Sequence, residues 1–266
     1  MDEPATAVPD SAGVGTPVAC AANAEVGGEV LRSWYAERPG AGPVACVWRG
    51  VPGWRRWMRV LPDGCADLVW DGAALNVAPA APRVLRVGLE PGGVTTGVRL
   101  LPHAAVALLG RPVPHLDSPV PLATLWPPDA VDPLLDALRT ASDPAAELVQ
   151  AITARARHPR YRPDPRVAAL VDRLAAPGTT VDAAARALGA SARTVRRHIR
   201  ADTGLAPKPL HEILRFRRAL AALPSSSLAE TAQAAGYYDQ PHLNRQFRKL
   251  TGTTPRALAA GGARAG

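Results

Sequence analysis

The sequence predicts a two-domain α+β protein. The N-terminal part is expected to be a mostly antiparallel β sheet or barrel with following helices, and the C-terminal part an all-α double helix-turn-helix. A chain of 266 residues has room for two domains of ordinary size. Three observations support this division: strand-like runs between turn residues come first, apolar residues then recur at helical spacing, and one helix–glycine–helix pattern occurs twice near the end.

The first domain begins with strand-like sequence between Trp34 and Leu101. Turn signals at residues 62–64 (Pro-Asp-Gly) and 71–72 (Asp-Gly) interrupt it, because proline fixes φ and glycine accepts a positive φ. The strand-like runs themselves lie at residues 58–61, 65–70, 84–87 and 94–101. We therefore expect a small antiparallel sheet or barrel over this stretch.

Helical sequence follows the predicted strands. Apolar residues recur every three to four positions over 130–139 and 145–157, and a shorter helical pattern over 103–109 ends at Gly110. The pair 143–144 (Asp-Pro) is typical of a helix start, with the aspartate as N-cap and the proline in the first turn.

These signals divide the chain into five segments. We expect a disordered segment over 1–30, an N-terminal domain over 31–157, a linker over 158–163, a C-terminal domain over 164–260 and a disordered tail over 261–266. The linker contains two prolines, and a second Asp-Pro pair follows it where the next helix begins.

The C-terminal domain shows the same helical pattern twice. Gly189 separates a helix capped by Thr180 from one capped by Ser191, and Gly236 divides a second pair of helices in the same way. A longer helix over 209–223 joins the two pairs. Such pairs are typical of helix-turn-helix units, whose second helix can enter the major groove of DNA.

The charge of the chain is divided along the same boundary. Residues 1–165 hold 15 Arg, no Lys and 17 acids, a net charge of −2, whereas residues 166–266 hold 14 Arg, 2 Lys and 6 acids, a net charge of +10. A solvated basic face would account for such an excess by itself. Together with the repeated motif, however, the excess favours a polyanion as the partner of the second domain.

The second helix of each unit presents side chains suited to DNA. Val195 and Ile199 face inward in the first, and Leu243 and Phe247 in the second. Arginine can donate two hydrogen bonds to guanine and neutralise phosphate, and side-chain amides pair with adenine. The predicted DNA-binding residues are Arg193, Arg196, Arg197, Arg200, Gln240, Asn244, Arg245 and Lys249. The alternative is an all-helical module that binds another protein.

The repeated motif resembles the AraC-type transcriptional regulators over about 165–260. The most specific stretch is 236–255 (GYYDQPHLNRQFRKLTGTTP), and the first unit is similar through 191–197 and the joining helix through 215–219. The resemblance implies two helix-turn-helix subdomains joined by one long helix. Positions that match the family's base-contacting faces are Arg193, Arg196, Arg197, Gln240, Pro241, Asn244 and Arg245.

The N-terminal part is similar, less specifically, to a sensor-like domain that precedes this unit in one subgroup of the family. The similar stretches are 59–70, 97–102, 108–110 and 121–126. In the wider family such a domain often binds a small effector or dimerises. The expected partners are therefore double-stranded promoter DNA, a small-molecule effector, RNA polymerase if the protein is an activator, and a second copy of the chain if it is a homodimer. Whether it activates or represses stays open.

Two clusters in the first domain invite other interpretations. Asp63 and Asp67 flank Cys65, but a turn and a strand account for these positions, so we predict no catalytic residue and no enzyme. Oxidant sensing by the Cys65 thiol is a second hypothesis. Trp54, Trp57 and Trp70 are candidates for lining a small-molecule pocket, although tryptophans of a plain sheet core fit the pattern better.

The remaining features narrow the class of protein. The three cysteines have no Cys-x-x-Cys spacing and the six histidines no metal-ligand spacing, so no metal site, disulfide framework or cofactor is expected. No apolar run reaches the roughly 18 residues that a membrane span needs, and an acidic N-terminus without a signal pattern favours the cytoplasm. We predict a sequence-specific transcription regulator; the alternative is a ligand-binding or oligomerisation protein with only non-specific nucleic-acid binding.

Overall fold

The computed structural model describes residues 34–51, 56–89, 93–110 and 119–263. The segment 1–30, expected to be disordered, lies outside these ranges, as does Trp54.

An antiparallel sheet forms the front of the N-terminal domain, as the sequence predicts. The strands are β1 (Trp34–Pro39), β2 (Val44–Val51), β3 (Arg56–Val60), β4 (Ala66–Trp70), β5 (Leu75–Ala78), β6 (Leu85–Leu89), β7 (Thr95–Leu100) and β8 (Val120–Pro121). The strand order of the sheet is β1-β2-β7-β4-β5-β8, and β3 pairs with β6 in a separate two-stranded ribbon. Glycines at 64 and 72 adopt positive φ in the two predicted turns.

In the described part of this domain, three α-helices share a core with the sheet. They are α1 (Ala105–Leu109), α2 (Pro128–Thr140) and α3 (Pro144–Arg157). Asp143 caps α3 with Pro144 in its first turn, so this start signal is confirmed. Side chains such as Leu68 and Val98 of the sheet and Ile152 of α3 are fully buried in one shared core.

The C-terminal domain is all helical, which confirms the predicted fold class. Between the domains, residues 159–161 form one 3-10 turn. The helices are α4 (Pro165–Ala175), α5 (Val181–Ala187), α6 (Ala192–Thr203), α7 (Pro207–Ala222), α8 (Leu228–Ala234), α9 (Gln240–Thr251) and α10 (Pro255–Ala263). The sequence analysis missed α10, and this helix extends three residues beyond the boundary expected at 260.

Each helix-turn-helix unit has its own small core. Val195, Ile199 and Leu174 pack in the first unit. In the second unit, Phe216 and Phe247 meet edge to face, with ring centroids 4.8 Å apart. The joining helix α7 contributes to both cores, because its first half carries Leu210 and its second half Phe216. Burial on α7 therefore links the two units into one domain.

The N-terminal domain packs directly against both units. Ala80 belongs to the core of the first unit, and Leu61 packs against that of the second. The backbone N–H of Val84 donates to the carbonyl of Leu250 at the end of α9, 2.7 Å away. The two domains are thus joined by packing as well as by the covalent linker.

Candidate nucleic-acid interface

Helix α6 is the predicted recognition helix of the first unit, and its ends are fixed by local chemistry. The Ser191 hydroxyl accepts the N–H of Thr194, and Gly204 ends the helix with φ of +74°. Val195 and Ile199 are buried, as predicted. The opposite face is therefore turned to solvent, with the exposed side chains of Arg193, Arg196, Arg197 and Arg200.

The four arginines of α6 are only weakly engaged within the protein. Arg196 lies 3.9 Å from Asp182 of α5, with both side chains more than 60% exposed. Arg197 lies 3.5 Å from the ring of its neighbour His198. Exposed ion pairs of this kind contribute little free energy. These guanidinium groups can therefore exchange their present contacts for those of a nucleic acid.

Helix α9 occupies the same place in the second unit. The Asp239 carboxylate accepts the N–H of His242, 2.6 Å away, and Gly252 ends the helix with φ of +71°. Leu243 and Phe247 are fully buried. Of the predicted DNA-binding residues on this helix, Gln240, Arg245 and Lys249 are exposed and Asn244 is half-buried.

Lys249 has a partner that the sequence did not reveal. Its ammonium lies 2.6 Å from the carboxylate of Glu212, a residue of α7. The same Glu212 oxygen accepts from the side-chain amide of Gln246, 3.3 Å away, and Gln246 is buried. The charge of Lys249 is therefore already paired within the second unit.

The arginines of α7 differ in role from those of the recognition helices. Arg218 donates to the carbonyl of Ala235 at the end of α8 and to that of Ala175 at the end of α4. Arg215 lies over the Tyr237 ring, 4.4 Å from its centroid. Burial, followed by the charge of Arg215, lowers the pKa of Arg218. These arginines satisfy carbonyls at helix ends and hold the units together.

His242 packs against an aromatic ring of the preceding turn. Its ring meets the Tyr237 ring edge-on, with centroids 5.3 Å apart. Burial and the charges of Arg215 and Arg245 lower its pKa, which favours the neutral imidazole in this contact with Tyr237.

The sheet of the N-terminal domain carries a buried charged cluster. Arg99 lies between three carboxylates, with Nε 3.0 Å from both Asp63 and Asp67 and Nη1 3.3 Å from Glu37. The indole N–H of Trp48 donates to Asp67, 3.0 Å away. Sequence reasoning identified the two aspartates but missed the arginine and the tryptophan, because they lie on strands far apart in the chain.

The other candidates of the N-terminal domain lie in different surroundings. Trp70 is 3% exposed and belongs to the sheet core. Trp57 lies in β3, which pairs with β6 to form the separate two-stranded ribbon. Cys65 is buried, and burial together with the charge of Asp63 raises the pKa of its thiol well above the usual value. A thiol in that state is a weak nucleophile at neutral pH.

Within the described ranges, no group of side chains has the composition of a metal site. No helix in that part of the chain is long and apolar enough to cross a membrane.

Fold and interface together define a class of protein: one with two helix-turn-helix units, each presenting an exposed basic or amide-bearing recognition helix. Comparison with known proteins agrees with this class. A family model described as a helix-turn-helix domain matches residues 184–261, from α5 into α10. No curated protein matches the chain.

Several solved structures are similar to the chain. A transcriptional regulator with an AraC-type DNA-binding domain from Chromobacterium violaceum is 27% identical over 38% of this chain and 96% of that one, with a TM-score of 0.36. The DNA-binding domain of AdpA, a global transcriptional factor solved in complex with a target DNA, is 31% identical over 38% and 92%, with a TM-score of 0.33. An apo ToxT variant from Vibrio cholerae is 9% identical over 83% and 98%, with a TM-score of 0.41.

Residues 184–261 of the chain thus belong to the helix-turn-helix domain family.

Proposed function

We propose that this protein is a one-component transcription regulator whose two recognition helices, α6 and α9, bind successive major grooves of one promoter site. The observation that carries the proposal is the presence of two exposed recognition faces on a single chain. Successive major grooves on one side of DNA are about 34 Å apart. Helix α7 has 16 residues and a length of about 24 Å, and it carries the core of one unit on its first half and that of the other on its second half.

The recognition residues divide into two groups by their place on the helices. Residues near the helix N-terminus face the base edges, and residues further along reach the phosphates. We assign base contacts to Arg193, Arg196, Arg197, Gln240, Asn244 and Arg245. Arg200, in the last turn of α6, is assigned to phosphate, whereas the Glu212 pair makes Lys249 a weaker phosphate ligand.

Control by the N-terminal domain is the second part of the proposal. This domain contacts the ends of both recognition helices: Val106 of α1 lies against Gly204 after α6, and Val84 bonds the carbonyl of Leu250 in α9. Arg217 of α7 also faces the carbonyl of Asp63, 3.5 Å away. A small effector or a second copy of the chain that reshapes this domain would therefore alter how the two units are held. Contact with RNA polymerase applies if the protein is an activator.

The experiment that tests DNA recognition is fluorescence anisotropy of the full chain on DNA from upstream of its own gene and on a random duplex, over a salt series. A specific site should bind about a thousandfold more tightly or better, with a steep salt dependence. The control is Arg139→Ala, which removes an exposed arginine from α2 of the N-terminal domain. Equal binding to every duplex would favour the alternative, a basic domain with only non-specific affinity.

The experiment for interdomain control uses Arg217→Ala on the same duplexes. Loosening the hold on α7 should weaken binding to the specific site and leave binding to random DNA unchanged, because only the specific site needs both units in one fixed arrangement. An unchanged specific affinity would argue against control through this contact.

A further inference from the structure

The turn before α9 is one residue longer than the turn before α6. In the first unit, Gly189 donates to Arg186 and Ala190 to Ala185, and Ser191 then caps α6. In the second unit, the equivalent bonds run from Gly236 to Gln233 and from Tyr237 to Ala232, and the cap is Asp239. Tyr238 is therefore the additional residue, and it has no counterpart in the first unit.

Tyr238 is almost completely exposed between two neighbours that have fixed places in the fold. It is 93% exposed, whereas Val94 and Leu188, the other exposed large apolar residues within the described ranges, are below 40%. On one side Tyr237 is 5% exposed, and on the other Asp239 caps α9. Since the side chain contributes no burial, stability of the fold does not explain a tyrosine there.

The N-terminus of α9 also has few donors for a phosphate. Helix N-termini bind phosphate through their first free N–H groups. In α9, Pro241 has no N–H, and the N–H of His242 is taken by the Asp239 carboxylate, which itself carries negative charge. In α6 the cap is a neutral serine, and Ala192 and Arg193 both keep N–H groups outside the cap. The second unit therefore needs a donor from another place.

We propose that the Tyr238 hydroxyl supplies that donor, to a phosphate at the edge of the groove that α9 enters. The residue directly precedes the N-cap of α9, so its side chain would lie beside the DNA backbone when the start of this helix enters the groove. A phenolic hydroxyl bonds an anionic oxygen without adding charge beside Asp239. This inference rests on the proposed function, because it assumes that α9 enters DNA.

The test compares Tyr238→Phe, Tyr238→Ala and the control Val94→Ala in the full chain. Anisotropy is measured on the specific and random duplexes with a salt series, and ethylation interference maps the phosphates of the specific site. Tyr238→Phe should raise Kd about tenfold on both duplexes, as expected for a lost hydrogen bond to a charged group. The salt slope should not change, since no cation is removed. The melting temperature should also stay at the wild-type value, because the ring is exposed.

Ethylation interference identifies the phosphate that the Tyr238 hydroxyl contacts. Ethylation of one phosphate beside the α9 half-site should weaken the wild type and leave Tyr238→Phe unaffected. Wild-type affinity in Tyr238→Phe would overturn the proposal, and so would a loss seen only in Tyr238→Ala, which would show ring stacking instead. If the wild type binds all duplexes equally, the proposed function fails, but the effect of Tyr238→Phe on random DNA still decides this contact.

Discussion

Replacing Arg99 by methionine tests whether the buried charged cluster holds the N-terminal domain together. The guanidinium is 19% exposed and lies 3.0 to 3.3 Å from three carboxylates, none of them more than 21% exposed. Burial alone would lower the pKa of Arg99, but the charges of Asp67 and Asp63 outweigh it and raise that pKa. Methionine has a similar length and no charge, so the substitution mainly removes the electrostatic attraction.

The expected loss of stability follows from the three carboxylates that remain after Arg99 is removed. Removing one member of a buried ion pair costs about 3 to 5 kcal/mol, since the remaining charge is uncompensated. Here Glu37, Asp63 and Asp67 would remain close together, and protonation would relieve part of their repulsion. We therefore expect a loss of about 3 kcal/mol at pH 7, and a fall in melting temperature of roughly 10 °C.

The stability lost in Arg99→Met should depend on pH, and the titration of Asp63 sets the direction of that dependence. Burial raises the pKa of this carboxyl above its usual 3.8, although Arg99 opposes the shift, so removing Arg99 raises it further. An acid whose pKa is raised in the folded state binds its proton more tightly there. Stability then falls as pH rises from about 4 through the folded-state pKa. The deficit of Arg99→Met should therefore be small near pH 4 and largest at neutral pH.

Calorimetry from pH 4 to pH 8 measures this effect. The matched control is Arg139→Met, which breaks an exposed pair with Asp136 and should cost no more than about 0.5 kcal/mol at any pH. If Arg99→Met lost as little as the control, or lost the same amount at every pH, the reasoning about the cluster would be wrong.

Three further predictions concern the DNA interface and the sheet. Arg196→Ala should cost about 1 to 3 kcal/mol on the specific site if the guanidinium binds guanine, whereas equal weakening on random DNA would indicate a phosphate contact. Lys249→Ala should change the salt slope of DNA binding by well under one, because Glu212 already neutralises the ammonium; a drop of about one would show that Lys249 leaves Glu212 for a phosphate. Gly97→Ala should destabilise the protein by about 1 to 3 kcal/mol in urea unfolding, because the new methyl group would overlap the Trp48 ring, and an unchanged midpoint would contradict this packing.

Much of the candidate site could be predicted because helix signals are local. A cap, a glycine and the spacing of apolar residues act within about four positions, so Ser191 predicted the start of α6 correctly. The same spacing placed Val195 and Ile199 inside, which left the arginines of α6 exposed. The strands were harder to pair, since β7 lies between β2 and β4 and that order depends on residues such as Ala66 and Leu100, which are far apart in the sequence.

The sequence by itself determined the class of this protein: two helix-turn-helix units in a basic domain that follows a sheet domain. The tertiary structure alone decided which charges are available. It turned Arg215 and Arg218 toward helix ends, paired Lys249 with Glu212, and enclosed Arg99 among carboxylates. The physical reason is the distance along the chain over which each interaction acts. Helix propensity and capping are set by neighbours along the chain, whereas the burial and pairing of a charge depend on elements that only the complete fold brings into contact.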